Sequence, residues 1–198
     1  AQIVITMLPN GGIVRQVVEG FADNLAAGTI VIDCSSSDAG GTVELGKLLA
    51  AKGAALIDAP VSGGVPLARE GKLTLMVGGA DDGQFATIEP VLACMGARIV
   101  RVGVLGSGHA AKAINMAVAA CTMAATCEGL ALGEAFGIDP AVLLDVINSS
   151  TGRSAVGETV IKNHVLTCTY AQGFALALMA KDVATAELMR DLLGLNLP

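Results

Sequence analysis

The chain has 198 residues, a net charge of -6 and hydrophobic side chains at 53% of its positions, but only 3% aromatic residues. The apolar content is too high for a disordered protein, and the excess of acidic over basic residues argues against a nucleic acid as the main partner. The longest uncharged window of the most apolar stretch, 113–127, is shorter than the ~18 residues of a membrane span, so we expect a buried helix of a soluble protein and no membrane partner.

The first half of the sequence alternates predicted strands with predicted helices. Short apolar or β-branched runs predict strands over 2–8, 29–33, 54–60, 73–77 and 99–102. Between them, apolar residues at helical spacing predict helices over 13–27, 38–52 and 82–95, with 35–38 as a possible cap for the second. This alternation implies an α/β fold with a parallel sheet and right-handed crossovers.

The second half of the sequence predicts helices only. A long alanine-rich helix over 109–136 ends at Gly137, and a second helix over 140–148 is opened by Asp139. Two or more helices are expected between there and Asn196. A boundary near residue 106 therefore separates an α/β part from an all-α part, and the long helix joins the two.

The cysteine and histidine content indicates an intracellular protein without a metal site. Five cysteines form no Cys-x-x-Cys pair and only two histidines are present, so the sequence does not predict a zinc site. Reduced thiols in a cytoplasmic protein are the simplest interpretation.

The first candidate site is the segment Asp58-Ala-Pro-Val-Ser62-Gly63-Gly64, which follows a predicted strand. Ligands of open α/β sheets bind at the carboxyl ends of strands, and glycine amides can hold a carboxylate there. Ser62 adds a hydroxyl donor. An ordinary Ser-Gly turn explains the same residues equally well.

The second candidate site is the glycine-led start of the long helix, Gly106-Ser-Gly-His-Ala-Ala-Lys112-Ala-Ile-Asn115. Lys112 and Asn115 are three residues apart and therefore share a helix face. A cation near the positive end of a helix is destabilised, which favours exchange of its proton with a substrate hydroxyl. The alternative is a lysine that only extends its stem along the helix edge to water.

Three further features carry weaker signals. The strand end and turn at 7–10 could form a wall of a nucleotide site. Lys181 and Asp182 read by default as a surface ion pair, which contributes little stability. Neither His109 nor His164 has a serine or cysteine beside it that would make a nucleophile–base pair.

Taken together and in this order, the segments 7–9, 33–36, 58–64, 112–115 and 179–182 resemble the 3-hydroxyisobutyrate dehydrogenase family of β-hydroxyacid dehydrogenases. The resemblance covers nearly the whole chain. It implies a partial Rossmann-type sheet followed by an all-α domain, with hydride transfer between NAD or NADP and a small-molecule hydroxyacid. Similarity to one branch of the family extends the expected substrates from 3-hydroxyisobutyrate-like acids to sugar acids such as threonate.

The resemblance also implies a role for each matching residue. Lys112 becomes the general acid/base, and Asn115 orients Lys112 or the substrate. The implied substrate-binding residues are Ser62, Gly63 and Gly64. The implied cofactor-binding residues are Leu8, Pro9, Ser36 and Lys181. The nicotinamide takes the hydride, so no metal is required.

The sequence departs from the family pattern at both ends. Such enzymes open with a strand, a Gly-x-Gly-x-x-Gly turn and a helix that together hold the pyrophosphate. No such unit is found here, since the glycines of 103–108 have a different spacing and precede the wrong domain. We therefore expect 1–106 to be an NAD(P)-binding domain that lacks its first βαβ unit. We expect 107–198 to be an incomplete helical domain for substrate binding and dimerisation.

Two interpretations follow for function. The first is an NAD(P)-dependent hydroxyacid dehydrogenase, or a reductase running in the opposite direction, that assembles as a homo-oligomer (dimer or tetramer). The alternative is a non-catalytic fragment of such an enzyme that folds and oligomerises but binds no dinucleotide. The sequence does not distinguish NAD from NADP, because the discriminating residue follows the second strand of the missing unit.

Overall fold

A computed structural model describes residues 1–196 and shows the predicted alternation of strands and helices. In chain order, the elements are β1 (Ile3–Thr6), α1 (Gly11–Phe21), β2 (Ile30–Asp33), α2 (Ala39–Ala51), β3 (Ala55–Asp58), β4 (Val61–Ser62), α3 (Gly64–Arg69), β5 (Leu73–Gly78), α4 (Asp82–Ala93), β6 (Gly96–Gly103), α5 (Ser107–Phe136), α6 (Pro140–Asn148) and α7 (Leu176–Leu192). A short 3₁₀ turn, Ala22–Asn24, follows α1, and a π-helix, Gly157–Val165, lies between α6 and α7.

Strands β1, β2 and β3 form a parallel ladder, which confirms the predicted α/β class. Their register aligns Thr6 with Asp33 and Asp33 with Asp58. Because parallel strands all end on the same side of a sheet, these three residues form one row at its carboxyl edge. The segments that follow the three strands are therefore brought to the same place.

The sheet is mixed rather than wholly parallel. Strand β5 runs parallel to β6 but antiparallel to both β3 and β4. Two parallel strands need a crossover of about a dozen or more residues, usually a helix on one face of the sheet, that returns the chain to the starting end. Between β3 and β5 the chain forms only β4 and the short helix α3, so it returns in the opposite direction. The sequence pattern does not predict these two short elements.

Two apolar clusters pack on the strands of this sheet. One is built around Ile32, Ile57 and Leu75 and is covered by Ile88 and Leu92 of α4. The other is built around alternate strand residues and is covered by α1 and α2, as shown by Val14, Val18, Val31, Leu45, Leu49 and Leu56. Since successive strand residues point to opposite faces, this division follows from the alternation within β2 and β3.

Polar side chains mark the starts of the helices. The side chain of Asn10 accepts a hydrogen bond from the amide of Ile13 at the start of α1, and Asp38 does the same for α2, as predicted. Asp81 and Gln84 form a reciprocal capping box on α4. The predicted opening of α6 by Asp139 is also confirmed.

The chain divides into two compact units. One comprises residues 1–114 together with the chain from Ala184 onward, and the other comprises Asn115–Val183. The core of the second unit is formed by Leu130, Leu144 and Ile161, from α5, α6 and the π-helix respectively.

The expectation of a buried long helix is wrong for most of α5. Only 22% of its most apolar 18-residue window is buried inside the chain. Val118, Leu132 and Phe136 are among its exposed apolar side chains. Of the helices described between residues 1 and 196, α5 is the one whose length and apolarity would allow it to cross a membrane, a property that the core helices of soluble proteins share.

Candidate active site

The carboxyl edge of the parallel strands is lined by buried polar groups. The carboxylate of Asp33 accepts hydrogen bonds from the hydroxyl of Thr6 at 2.9 Å, the hydroxyl of Ser37 at 2.8 Å and the amide of Ser35 at 3.0 Å. Asp33 is only 2% exposed. Three donors satisfy this buried charge, and they connect β1, β2 and the segment that leads into α2.

Asp58 caps the long helix from a different part of the chain. Its Oδ1 accepts a hydrogen bond from the amide of Gly106 at 2.8 Å, and its Oδ2 accepts one from the amide of His109 at 2.8 Å. A carboxylate at a helix N-terminus binds amides that have no partner within the helix and interacts favourably with the helix dipole. Asp58 is fully buried, so the start of α5 is fixed to the end of β3.

Two glycines allow this close approach. A Cβ atom at Gly108 would collide with the carbonyl oxygen of Met76 and lie 2.8 Å from Oδ2 of Asp58. A Cβ atom at Gly78 would lie 2.6 Å from Oδ1 of Asp58 and 2.9 Å from the amide nitrogen of Gly108. Both contacts involve backbone atoms, so only residues without a side chain fit between β5 and α5.

Lys112 follows His109 by less than one helical turn and is half-buried. Asn115, three residues later on the same helix, is exposed. Because the first turn of α5 is bound to Asp58, Lys112 has a defined position on the unit that contains the sheet. A lysine held in this way can act as a proton donor or acceptor once a substrate hydroxyl is within reach.

The Ser62-Gly63-Gly64 segment is not the simple turn that the sequence also allowed. Ser62 is the last residue of β4 and pairs with Thr74. Gly63 and Gly64 have φ angles of 131° and 62°, which residues with a side chain rarely adopt, and Gly64 begins α3. The backbone thus changes direction at two glycines directly after a strand, a type of segment whose amides can hold an anion.

Leu8, Pro9 and Ser36 lie at the carboxyl edge. The amide of Leu8 donates a hydrogen bond to the hydroxyl of Ser35 at 2.8 Å, which ties the segment after β1 to the segment after β2. A crevice of about 220 Å³ at this edge is lined by the start of α1, the start of α2 and the residues just before α2, including Gly11, Gly12, Ser37 and Gly41. Small residues, helix N-termini and strand ends are the features that bind nucleotides in open α/β sheets, so this edge fits part of a dinucleotide.

Lys181 lies on α7 in the second compact unit. Its Nζ is 3.1 Å from Oδ1 of Asp182, and the Asp182 side chain is only 6% exposed. The default interpretation as a surface ion pair is therefore wrong on the aspartate side, because the carboxylate is buried.

Sequence reasoning missed the buried network formed by Asp33, Asp58 and His109. It considered Asp58 only as the first residue of a glycine loop and His109 only as a possible catalytic base. One signal was available, because Gly106-Ser-Gly-His-Ala-Ala fits the G-x-G-x-x-A form of the dinucleotide fingerprint at a strand–helix junction. In the structure, the amides at this junction bind Asp58.

The cysteines are free thiols, as expected, among the residues that the structure describes. Burial, with a smaller contribution from the charge of Asp33, raises the pKa of the Cys34 thiol to about 12. Over residues 1–196, no group of three or more His, Cys, Asp or Glu side chains is arranged to hold a metal ion.

Two family models together match the whole chain. Residues 1–106 match the NAD binding domain of 6-phosphogluconate dehydrogenase, and residues 106–198 match the NAD-binding domain of NADP-dependent 3-hydroxyisobutyrate dehydrogenase. This chain belongs to the 3-hydroxyisobutyrate dehydrogenase family. Both models describe NAD-binding domains, which supports the expected NAD or NADP cofactor.

Curated members of the family match most of this chain. The 2-(hydroxymethyl)glutarate dehydrogenase of Eubacterium barkeri is 39% identical over 189 residues, which cover 94% of this chain and 62% of that protein. The mitochondrial 3-hydroxyisobutyrate dehydrogenase of Homo sapiens is 38% identical over 196 residues, which cover 94% of this chain and 58% of that protein. The chain therefore spans about three fifths of the length of these two relatives.

Solved structures of similar proteins share the fold. The 3-hydroxyisobutyrate dehydrogenase of Mycobacterium tuberculosis, solved with L-serine, superposes with a TM-score of 0.93 at 33% identity, over 100% of this chain and 70% of that one. Psf3, solved with NADP+ and 2-OPP, superposes with a TM-score of 0.82 at 26% identity, over 95% of this chain and 67% of that one.

Proposed function

We propose that this chain forms part of an NAD(P)-dependent β-hydroxyacid dehydrogenase and supplies its proton-transfer group. The observation that carries the proposal is the attachment of the Lys112 helix to the carboxyl edge of the parallel strands through Asp58. This edge is where open α/β sheets bind nucleotides, so a proton donor is held beside a site suited to a hydride carrier. The related dehydrogenases support the same reaction class.

In this proposal, Lys112 accepts the proton of the substrate hydroxyl when the carbon that carries the hydroxyl is oxidised. In the reverse reaction, Lys112 donates a proton to the carbonyl oxygen of the oxo acid. Asn115 orients Lys112 or the substrate through the shared helix face. Ser62, Gly63 and Gly64 bind the substrate carboxylate through one hydroxyl and their backbone amides. The nicotinamide, when bound, supplies the hydride acceptor or donor.

Four residues would contact the cofactor. Leu8 and Pro9 form one wall after β1, and Ser36 offers a hydroxyl after β2. Lys181 is the fourth and supplies a positive charge. The crevice between the starts of α1 and α2 supports this arrangement, because helix N-termini favour phosphate groups.

For the substrate, we propose a 3-hydroxyisobutyrate-like acid or a sugar acid such as threonate. We also propose a cytoplasmic homo-oligomer, a dimer or a tetramer. Exposed apolar residues of the second unit support self-association, since large apolar patches on a surface mark interaction sites. They include Val118, Leu132, Phe136, Val142 and Val146.

The test is an oxidation assay that follows the absorbance of the reduced nicotinamide. Purified protein is supplied with NAD+ or NADP+ and, in turn, with 3-hydroxyisobutyrate, 2-(hydroxymethyl)glutarate and threonate. Removing a general acid/base lowers turnover by about 10²–10⁴-fold, so we expect Lys112→Ala to cause a loss of that size with an unchanged circular dichroism spectrum.

The matched control is Lys47→Ala on α2. Lys47 is exposed and pairs only with Glu44 among the ion pairs of the described chain, so its loss should leave turnover unchanged. Full activity of Lys112→Ala would refute the role of Lys112. Protein that folds and self-associates but fails to bind NADH or NADPH in a fluorescence titration would instead favour the non-catalytic alternative.

A further inference from the structure

His109 lies at the centre of the buried polar network and is only 1% exposed. Its Nε2 is 3.1 Å from the carbonyl oxygen of Ser35. Its Nδ1 is 2.8 Å from the hydroxyl oxygen of Thr42. Each ring nitrogen therefore faces one hydrogen-bond partner, one from the segment after β2 and the other from α2.

The proton of the Thr42 hydroxyl decides the charge of this ring. A carbonyl oxygen only accepts, so Nε2 carries a proton. The Thr42 hydroxyl has a single proton, and its oxygen lies 2.8 Å from the carbonyl oxygen of Asp38, which also only accepts. The carbonyl oxygen of Asp38 also accepts the backbone amide of Thr42 at 3.1 Å, so the hydroxyl proton has two possible acceptors. If the hydroxyl donates to the Asp38 carbonyl oxygen, Nδ1 donates to Thr42 and both ring nitrogens carry protons, whereas a hydroxyl that donates to Nδ1 leaves the ring neutral.

The surrounding charges favour this doubly protonated ring. Oδ2 of Asp33 lies 3.6 Å from Nε2, and Oδ2 of Asp58 lies 4.0 Å from Nδ1. Both carboxylates are buried, and opposite charges attract strongly where water is excluded. The third carboxylate nearby, that of Asp38 on the α2 side, is turned to the amide of Gly41. A neutral imidazole would leave the two buried carboxylates without this cation.

We propose that His109 is a buried imidazolium that binds Asp33 and Asp58 together and fixes the start of α5. Asp58 already accepts the backbone amide of His109, so ring and backbone hold the same carboxylate. The consequence for Lys112, three residues later, rests on the proposed function. In that setting His109 is a positioning residue, because it acts on the substrate only through the placement of Lys112.

The direct test is nitrogen NMR of the histidine ring. The chain has two histidines, so a His164→Gln variant labelled with ¹⁵N-histidine reports on His109 alone. The two ring nitrogens of an imidazolium give similar shifts, whereas a neutral ring gives two widely separated shifts. We expect the imidazolium pattern in folded protein at pH 7.5 and the neutral pattern for the same sample in urea.

One protonated and one unprotonated ring nitrogen in the folded protein at pH 7.5 would overturn the proposal. This measurement needs no activity, so its failure is separate from a failure of the dehydrogenase assignment.

A second measurement tests the positioning role. His109→Gln keeps a polar side chain but removes the charge. A misplacement of about 1 Å at a reacting group can cost about 100-fold in rate, so we expect kcat to fall by up to that factor while the KM for the nicotinamide cofactor stays within about twofold. An unchanged kcat in folded His109→Gln protein would refute the link to Lys112.

Discussion

The contact between α5 and β5 offers a direct test of this architecture through a single methyl group. Alanine at Gly108 would place Cβ against the carbonyl oxygen of Met76 and the carboxylate of Asp58. Gly129 lies on the same helix, and a methyl group there would have no neighbour within 4 Å. The two Gly→Ala substitutions therefore make the same chemical change in crowded and open surroundings.

The two substitutions are expected to change the stability of the fold in opposite directions. In an open helix interior, Gly→Ala stabilises by about 0.8–1.0 kcal/mol. At Gly108, overpacking costs about 1–3 kcal/mol, and moving the helix away weakens hydrogen bonds to a charged group that each contribute about 1.5–3 kcal/mol. We expect Gly108→Ala to destabilise the fold by about 2–5 kcal/mol and Gly129→Ala to stabilise it slightly.

Urea unfolding followed by circular dichroism measures both variants. The midpoint for Gly108→Ala should fall clearly below that of the unmodified chain, while the midpoint for Gly129→Ala should equal or exceed it. A change of midpoint at constant slope reports a change in stability. If Gly108→Ala unfolds at the same urea concentration as Gly129→Ala, the close approach of α5 to β5 is refuted.

Two further predictions concern single residues. Because the pKa of Cys34 is raised to about 12, its thiol should react with a thiol reagent only after unfolding. The exposed Cys94, Cys121 and Cys168 should react in the native protein. Rapid labelling of Cys34 in the native protein, detected by mass spectrometry, would contradict this. The same shift predicts that the free energy of unfolding falls as pH rises from about 9 towards 12, since the unfolded thiol ionises first, and that Cys34→Ala removes this dependence. Asp139→Ala removes the acceptor of two amides at the start of α6, so it should lower the free energy of unfolding, measured in urea, by about 1 kcal/mol. Asp145→Ala on the same helix should lower it by less, and equal losses would exclude a capping role for Asp139.

Local patterns predicted the parts of this fold that depend on local physics. Periodicity and caps located α2, α4 and α6, because a helix start is decided by a few neighbouring residues such as Asp38 and Asp139. The reversal between β3 and β5 was not predictable in this way. A two-residue strand and a six-residue helix carry too few residues for a periodic signal, yet they set the direction of β5.

The candidate site also combines features set by neighbouring residues with features set by residues far apart in sequence. Lys112, Ser62 and the glycines remain predictions, which residue type and spacing within a short segment are enough to suggest. The partners that fix them were not predicted, since Asp58 and the amide of Gly106 are 48 positions apart in sequence, and Thr42 and His109 are 67 apart. Such pairs exist only once the sheet register aligns Thr6, Asp33 and Asp58.

The start of α5 shows that a glycine motif can be interpreted only once the group bound to its amides is known. Its sequence fits a glycine fingerprint whose usual ligand is a phosphate, and a helix N-terminus attracts any anion. Here the amides of Gly106 and His109 already bind the buried carboxylate of Asp58. A phosphate would have to displace that carboxylate from a site where it is fully buried and paired with His109. This glycine turn therefore holds the Lys112 helix on the sheet, and we propose the crevice between α1 and α2 as the place for the dinucleotide instead.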